Sequence, residues 1–304
     1  MSAQKVVFGF GAHTGIDDGP ELLRTAQQAD RDGLDIFSLS DHPYAGGRLD
    51  AYASIGFILG GTRQIAGFAN VTNLPTRPAP VLSRTVTSLS VLSGGRVVLG
   101  LGAGGQWDRI SDLGVPRLSA GDAVAAFEEA IILIKKLSGG GPPVTHQGRF
   151  YQVNQIEPAS VPAPPVWTGS VGPKSLAATG RVADGWLPGH AADWLSERYR
   201  QSRPIIDAAA AAVNRDPREI RTVYNLTGRI TDRPLAAIRD DAGRWIGGSV
   251  DQWIEELTGA VLQHDASGFI LFSSSGGAQD IVSVGRWASE IVPAVREAIA
   301  KETA

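Results

Sequence analysis

Short apolar runs alternate with longer segments of helical periodicity along most of the chain. Clusters of glycine and proline separate these segments, as is common between strands and helices. The apolar runs predict eight strands, at residues 6–10, 35–40, 64–71, 96–101, 165–168, 184–188, 219–226 and 268–272. The periodic segments predict eight helices, at residues 20–31, 51–60, 80–92, 123–137, 173–182, 191–213, 250–264 and 280–300.

Repeated strand–helix units of this kind are typical of a parallel sheet that helices cover on both faces. Eight units in 304 residues predict an α/β fold of the (β/α)8 barrel type, with a doubly wound open sheet as the alternative. Residues 142–164 interrupt the alternation with a proline-rich stretch, in which a short hairpin is predicted around Gln147 and Gly148. No linker divides the chain, so residues 1–304 are expected to form a single domain.

The composition excludes several classes of function. Hydrophobic residues make up 43% of the chain and charged residues 19%, which is the balance of a globular protein. The net charge of −3 offers no basic surface for nucleic acid, and the absence of cysteine excludes disulfides, thiolate metal sites and a cysteine nucleophile. The five histidines lack zinc-binding spacing, so no metal is expected. Without a signal peptide or a long apolar stretch, the chain is expected to be cytoplasmic, with no membrane partner.

Small and polar residues follow the predicted strands, where the loops of a barrel surround one common cavity. They are His13, Ser40, Asp41, His42, Tyr44, Asn70, Thr72, Asn73, the glycine-rich segments 102–106 and 169–174, and Ser273, Ser274 and Ser275. A ring of glycine, serine, asparagine and histidine at strand ends indicates a ligand site and not a packed core. A small-molecule substrate is therefore expected at this end of the barrel.

His42 is the sharpest candidate for chemistry, because it follows the second strand and histidine titrates near neutral pH. It either donates or accepts a proton there, or it is an ordinary hydrogen-bonded loop histidine. Asp41 beside it either orients a ring or caps a turn.

The segment Gly169–Lys174 joins a predicted strand to a helix. Its small residues let backbone N–H groups approach a ligand, and the helix start carries partial positive charge. Lys174 adds a cation suited to phosphate, so a phosphate site is predicted, with a purely geometric glycine turn as the alternative. The segment Gly100–Gly105 matches G-x-G-x-x-G, but no tidy βαβ unit follows it, so we expect a backbone wall for a flat ligand. Trp107 follows this wall.

Several motifs together resemble the bacterial luciferase-like superfamily. They are Ser40–Pro43, Ser93–Gly100, Gly100–Gly104, and Gly169–Lys174 followed by Ala178–Trp186. The resemblance extends from the first strand to about residue 190, and more loosely to the end. It implies a luciferase-like (β/α)8 TIM barrel with an insertion after the fourth βα unit.

Members of that superfamily bind either FMN or the deazaflavin coenzyme F420. Ser40–His42 is similar to the F420-dependent branch, and so are Trp107-Asp108 and the later Gly114-x-Pro116-Arg117. The resemblance implies a non-prolyl cis peptide at Asn70-Val71 beneath the deazaflavin ring and the cofactor phosphate on Gly169–Lys174.

The site residues that follow fall into three groups. The catalytic residues are His42 and Asp41. The cofactor-binding residues are Ser40, Asn70, Val71, Gly102, Ala103, Gly104, Gly169, Ser170, Val171, Gly172 and Lys174. The substrate-contacting residues are His13, Tyr44 and Trp107.

One departure from the family's pattern argues against a glucose-6-phosphate dehydrogenase activity. F420-dependent sugar-phosphate dehydrogenases carry a glutamate after the fourth strand's glycines, where this chain has Gln106. The leading hypothesis is an F420-dependent oxidoreductase that transfers a hydride between the deazaflavin and a small organic substrate. The alternatives are an FMN-dependent luciferase-like monooxygenase and a non-catalytic relative that binds flavin or deazaflavin. A homodimer is expected by analogy alone.

Overall fold

The computed structural model describes residues 5–13, 15–189, 192–272 and 281–303. Its strands are β1 (Val7–Ala12), β2 (Ile36–Leu39), β3 (Ala66–Ala69), β4 (Thr72–Asn73), β5 (Leu99–Gly102), β6 (Val144–Gln147), β7 (Gln152–Ile156), β8 (Val166–Thr168), β9 (Gly185–Trp186), β10 (Arg221–Thr227), β11 (Arg229–Thr231), β12 (Gly247–Ser249) and β13 (Gly268–Phe272). Its α-helices are α1 (Gly19–Arg31), α2 (Ala51–Gly60), α3 (Ala79–Ser93), α4 (Trp107–Asp112), α5 (Ala120–Lys136), α6 (Pro173–Val182), α7 (Glu197–Ala211), α8 (Val250–His264), α9 (Ile281–Arg286) and α10 (Val292–Thr303). A π turn, Trp287–Ile291, joins α9 to α10.

Parallel strands form a barrel in the order β3-β2-β1-β13-β10-β9-β8-β5-β4. β3 and β4 are two parts of one barrel strand, separated by a cis peptide between Asn70 and Val71. β3 pairs with β2, and both a bridge from Gly67 to Val97 and the pairing of β4 with β5 close the ring. Counting β3 and β4 together gives eight positions, which confirms the predicted α/β barrel.

The predicted irregular stretch contains an antiparallel hairpin of β6 and β7, inserted between α5 and β8. The Glu129 carboxylate on α5 accepts hydrogen bonds from the backbone N–H groups of Arg149, Phe150 and Tyr151. The insertion is therefore fastened to the helix that precedes it, and the expected insertion after the fourth unit is confirmed.

Two predicted elements differ from the structure, and one helix of the structure was not predicted. The helix predicted over residues 191–213, after the sixth predicted strand, begins only at Glu197, because the Ser196 side chain accepts from Tyr199 N–H and caps the helix there. The third predicted strand is interrupted at the cis peptide. The helix α4 was not predicted, since its six residues are too short for a periodic pattern. Within the described ranges, no helix has the length and apolar character needed to cross a membrane.

The barrel has an apolar interior that is distinct from the layer between strands and helices. Ile36, Phe68, Trp167, Val223 and Ile270 belong to the interior cluster, and Val71 packs against it. Val71 lies after β3, at the carboxyl end of the strands. Packed side chains fill the barrel below this level, so a ligand can enter only above it.

Candidate functional site

A cavity of about 360 Å³ opens at the carboxyl ends of the strands, within the size range of small-molecule sites. Its lining is Asp41, His42, Tyr44, Asn70, Val71, Thr72, Asn73, Gly102, Ala103, Gly104, Gly105, Gln106, Gly169 and Val171. Ten of these residues were predicted as site residues from the sequence, and the structure brings them to one place. The loops after β2, β3, β5 and β8 supply them.

The floor of the cavity depends on Val71 and two glycines. A Cβ atom on Gly102 would lie 2.8 Å from Val71 Cγ2, and one on Gly169 would lie 3.0 Å from the same methyl. Real Cβ contacts are longer, so any side chain at either position would displace Val71. The glycines therefore keep the floor flat and let a planar ligand approach the backbone.

Polar side chains fix the segment around the cis peptide. The Asn70 amide donates to Asn225 Oδ1 at 2.9 Å and to Ser38 Oγ at 3.3 Å. Asn73 is 7% exposed, and its Oδ1 has no hydrogen-bond partner in the described part of the chain. A buried acceptor without a donor is costly, so this oxygen is suited to a ligand N–H.

His42 lies at the side of this floor, and its Nδ1 is 2.8 Å from the Tyr44 hydroxyl. Burial raises the pKa of Tyr44, and the nearby Asp41 charge raises it further, so the phenol keeps its proton. When Tyr44 donates to Nδ1, Nε2 carries the ring proton; in the opposite orientation Nε2 is a free base. Either way, Nε2 is the atom left for a substrate.

The two histidines of the predicted site are both held neutral. Burial lowers the pKa of His42 below its usual 6.5, and the Arg48 charge lowers it further, while Asp41 opposes the change. Burial and Arg48 also lower the pKa of His13. His13 is exposed and does not line the cavity, although its ring lies 6.4 Å from that of Phe272. An uncharged imidazole is the form that accepts a proton at neutral pH.

Orienting the His42 ring was one of the two roles left open for Asp41, but the hydrogen bonds of the described residues do not join them. Asp41 is buried, with 3% of its surface exposed. Its carboxylate accepts hydrogen bonds from Arg77 Nε at 2.9 Å, from Arg77 Nη2 at 2.7 Å and from Asn73 N–H at 3.0 Å. Arg77 also pairs with Asp50 and stacks over Tyr52. The carboxylate thus fastens the loop after β2 to the segment after the cis peptide, and its effect on His42 is electrostatic.

Two predicted cofactor residues point their side chains into the protein. The Ser40 hydroxyl accepts from Arg48 at 2.8 Å. The Ser170 hydroxyl accepts from Thr179 at 2.8 Å, and the Ser170 carbonyl accepts from Trp186 Nε1 at 2.9 Å. Neither serine lines the cavity, so each supports its loop and leaves only backbone groups for a ligand.

The predicted phosphate turn has the geometry of a helix start. Gly172 caps α6, and Pro173 occupies the first helical position, where its missing N–H costs nothing. The first N–H groups of the helix are then those of Lys174 and Ser175. Lys174 is exposed and forms no hydrogen bond or ion pair with any described residue. The turn lies beside the cavity, since Gly169 and Val171 line it while Gly172 and Lys174 do not.

Trp107 lies next to the glycine wall, 3.3 Å from where a Cβ on Gly104 would be. It starts α4 and does not line the cavity, whereas Gln106 does. Ser273, Ser274 and Ser275 lie outside the described residues. Sequence reasoning missed Arg48, Arg77 and Asn225, of which Asn225 lies inside a buried strand and gave no signal distinct from the core.

The model of a protein family described as luciferase-like monooxygenase matches residues 5–278, most of the chain. A hydroxymycolic acid dehydrogenase described as F420-dependent, from Mycobacterium tuberculosis, is 28% identical over 254 residues, which are 76% of this chain and 65% of that protein. The 5,10-methylenetetrahydromethanopterin reductase of Methanolobus tindarius is 29% identical over 203 residues, 66% of this chain and 58% of that protein. The chain thus spans less than two thirds of the length of these relatives.

A solved structure shares the fold at low sequence identity. It is an F420-dependent secondary alcohol dehydrogenase in complex with an F420–acetone adduct, with a TM-score of 0.80 and 17% identity, and the match covers 96% of this chain and 99% of that one. This likeness confirms the predicted barrel as a fold and leaves the activity to be argued from the site.

Proposed function

Because the chain belongs to the luciferase-like monooxygenase family, we propose that it is an F420-dependent oxidoreductase acting on a small organic substrate. The observation that carries the proposal is the position of His42, which is neutral and lies beside the flat floor at Val71. The two relatives are named for a dehydrogenase and a reductase activity, which supports hydride transfer.

The residues present fit a deazaflavin. Gly102 and Gly169 leave open the space above Val71 that side chains would fill. The unpartnered Asn73 Oδ1 would accept from a ring N–H, and the start of α6 with Lys174 would hold the cofactor phosphate. The bound deazaflavin would supply the carbon that carries the hydride.

The protein residues then have defined tasks. His42 Nε2 holds the proton that the substrate oxygen gains on reduction or loses on oxidation, and the Tyr44 contact at Nδ1 fixes the ring. Asn70 and Asn225 keep the floor in place, so they would hold a bound deazaflavin in one orientation toward the substrate. Asp41 and Arg77 join the two loops that carry His42 and Val71.

An FMN-dependent monooxygenase is the second candidate, favoured by the description of the family itself. The same turn and floor would hold FMN. The non-catalytic reading gains support only if neither cofactor yields turnover. A homodimer and a cytoplasmic location stay predictions. Phe57 on α2, 70% exposed, is one of several exposed apolar side chains that a subunit contact would cover.

Side-by-side fluorescence titration with F420 and FMN tests the proposal, followed by an anaerobic substrate screen and by oxygen uptake with reduced FMN. We expect micromolar binding of F420, much weaker binding of FMN and no oxygen uptake. Preference for FMN together with oxygen uptake would establish the monooxygenase instead. Binding of neither cofactor would remove the support for an oxidoreductase.

A further inference from the structure

Arg48 lies between the two loops that carry the histidines. It follows β2 in the chain, and its guanidinium donates to Ser40 Oγ at 2.8 Å. Its segment also contacts the loop after β1, through a bridge to Gly15 and a hydrogen bond from Ile16 N–H to the Gly47 carbonyl. The side chain is thus half-buried and close enough to His42 to act on it electrostatically, although it does not itself line the cavity.

No carboxylate pairs with Arg48 in the described part of the chain. The nearby Asp41 is committed to Arg77 and to Asn73 N–H. Arg48 also acts electrostatically on His13, His42 and Tyr44, all of which are uncharged at neutral pH. A partly desolvated cation without a counter-ion is costly. Arg96 and Arg221 also have no carboxylate partner, but they donate to backbone carbonyls, whereas Arg48 donates only to Ser40 Oγ among the described residues.

We propose that Arg48 binds an anionic group, a carboxylate or a phosphate, of the substrate. The proposal rests on the oxidoreductase function above, and it defines the substrate class as an anion-bearing alcohol or carbonyl compound. The guanidinium fork suits both oxyanions, and it lies on the same loop as His42, which would handle the proton at the reacting oxygen.

The alternative source of the anion is the phosphate of the cofactor itself, and the barrel geometry argues against it. The predicted phosphate turn follows β8, whereas Arg48 follows β2, three positions away around a ring of eight. The floor at Val71 lies between them, after β3. A planar cofactor with its phosphate on the turn would therefore present its far side to Arg48.

The test begins with the protein without cofactor, so it does not depend on F420 turnover. The histidine ring signals are titrated against pH by NMR, with acetate and then inorganic phosphate as probes and sodium chloride at matched ionic strength as the reference. An anion on Arg48 cancels its charge, so saturating acetate or phosphate is expected to raise the pKa of both His42 and His13. No saturable change with either probe would overturn the proposal.

Arg48→Gln is expected to weaken acetate binding at least about tenfold, because a charge-assisted hydrogen bond is lost. Arg48→Lys keeps the charge and loses the fork, so it is expected to bind acetate with an intermediate affinity. This second variant covers the case in which Arg48→Gln does not fold. Arg24→Gln, an exposed arginine on α1, is the control and is expected to behave as the wild type. Unchanged acetate affinity in folded Arg48→Gln would contradict the proposal.

A final arm separates substrate from cofactor. F420 and its chromophore without the phosphate tail are each titrated into the wild type and Arg48→Gln. Equal affinities of the two proteins for F420 are expected. A loss confined to F420, absent with the tail-free chromophore, would assign Arg48 to the cofactor and refute the substrate role. Failure of F420 to bind the wild type at all would count against the proposed function, while the acetate result would still stand or fall by itself.

Discussion

Aspartates at the amino ends of the barrel strands accept hydrogen bonds from backbone N–H groups and basic side chains. Several polar groups at the carboxyl ends, in contrast, have hydrogen-bonding atoms or charges without a partner among the described residues. Asp35 accepts from Phe8 N–H at 2.9 Å and from Arg296 at 2.7 Å. Asp184 accepts from Val166 N–H and from Lys135, both at 2.8 Å. Each carboxylate ties a strand to its neighbour or to a helix.

The carboxyl ends carry His42 Nε2, Asn73 Oδ1, Lys174 and Arg48, none of which is fully paired within the described residues. Asp41 is the exception. It lies at the carboxyl end, but its carboxylate is as fully hydrogen-bonded as those of Asp35 and Asp184 at the amino end. This difference between the two ends of the strands shows that residue type alone does not tell whether a polar residue of this barrel stabilises the fold or binds a ligand. A group serves stability where its partners are complete and is available to a ligand where they are not.

The largest effect is expected from His42→Gln, which removes the proton-handling group. We expect kcat/KM for F420 turnover to fall by about 10²- to 10⁴-fold. The melting temperature should stay close to that of the wild type, because the ring is bonded only to Tyr44 among the described residues. His264→Gln, at the end of α8 and at the opposite end of the barrel, is the control and should leave turnover intact. Full activity in His42→Gln would show that its position alone does not assign it to catalysis.

Asp41→Ala should act on stability in spite of its place beside the cavity. Removing a buried carboxylate that holds Arg77 on two bonds is expected to cost about 3 kcal/mol of unfolding free energy, measured by urea denaturation. Asp50→Ala is the matched control, since it pairs with the same guanidinium but is exposed, and the loss of its helix cap should cost about 1 kcal/mol. Equal losses from the two variants would mean that burial does not set the value of the Arg77 pairs.

Asp30→Asn tests the amino end of the barrel. The Asp30 carboxylate accepts the backbone N–H groups of Arg63, Gln64 and Ile65, at 2.7–2.9 Å, so its replacement should cost about 2 kcal/mol. Burial alone would raise the pKa of Asp30, but these hydrogen bonds and Arg96 outweigh it and the pKa is lowered. The stability from this group is therefore complete above about pH 4, the value in the unfolded chain, and is lost as the pH falls through the lower folded pKa.

Urea denaturation of wild type and Asp30→Asn at pH 7 and near pH 3 checks this expectation. The difference between the two proteins should shrink at the lower pH, and turnover per folded molecule should stay unchanged. Asp17→Asn, an exposed residue before α1, serves as the control. A difference that grows on acidification would reverse the sign of the argument.

Gly102→Ala should damage the site more than the fold. The new methyl would press on Val71, and overpacking of this size is expected to weaken cofactor binding by about 1–2 kcal/mol, or about 5- to 30-fold. Gly105→Ala is the matched control in the same loop, because a Cβ there meets nothing within 4 Å. Fluorescence titration of both variants decides the matter, and equal affinities would show that the flat floor is not required.

The smallest expected effect is on the pH profile. Because the pKa of His42 is lowered from 6.5, the acid limb of kcat/KM for a base reaction should lie below pH 6.5. Arg48→Gln removes one cause of the lowering, while burial, Asp41 and His13 remain, so the limb should move to higher pH. A limb that stays in place would mean that Arg48 does not act electrostatically on His42.

The periodic pattern of the sequence determined the barrel. A helix buried on one face has apolar residues at helical spacing, and a strand buried on both faces is a continuous apolar run, so neighbouring positions reveal both elements. The rule that loops after parallel strands share a cavity was enough to find His42, Asn70, Asn73 and the two glycine-rich segments. The resemblance to a known family added the cis peptide at Asn70-Val71, which the structure contains.

Only the tertiary structure decided which partners the polar residues have. Asp41 meets Arg77 from 36 positions away, and Asn70 meets Asn225 from 155 positions away. No local periodicity encodes such pairs, since they arise when the closed barrel brings separate loops to one end. For the same reason the sequence alone could not show that the Asp41 carboxylate has all its hydrogen-bond partners within the protein. Nor could it show that Arg48, six residues from His42, has no carboxylate partner among the described residues.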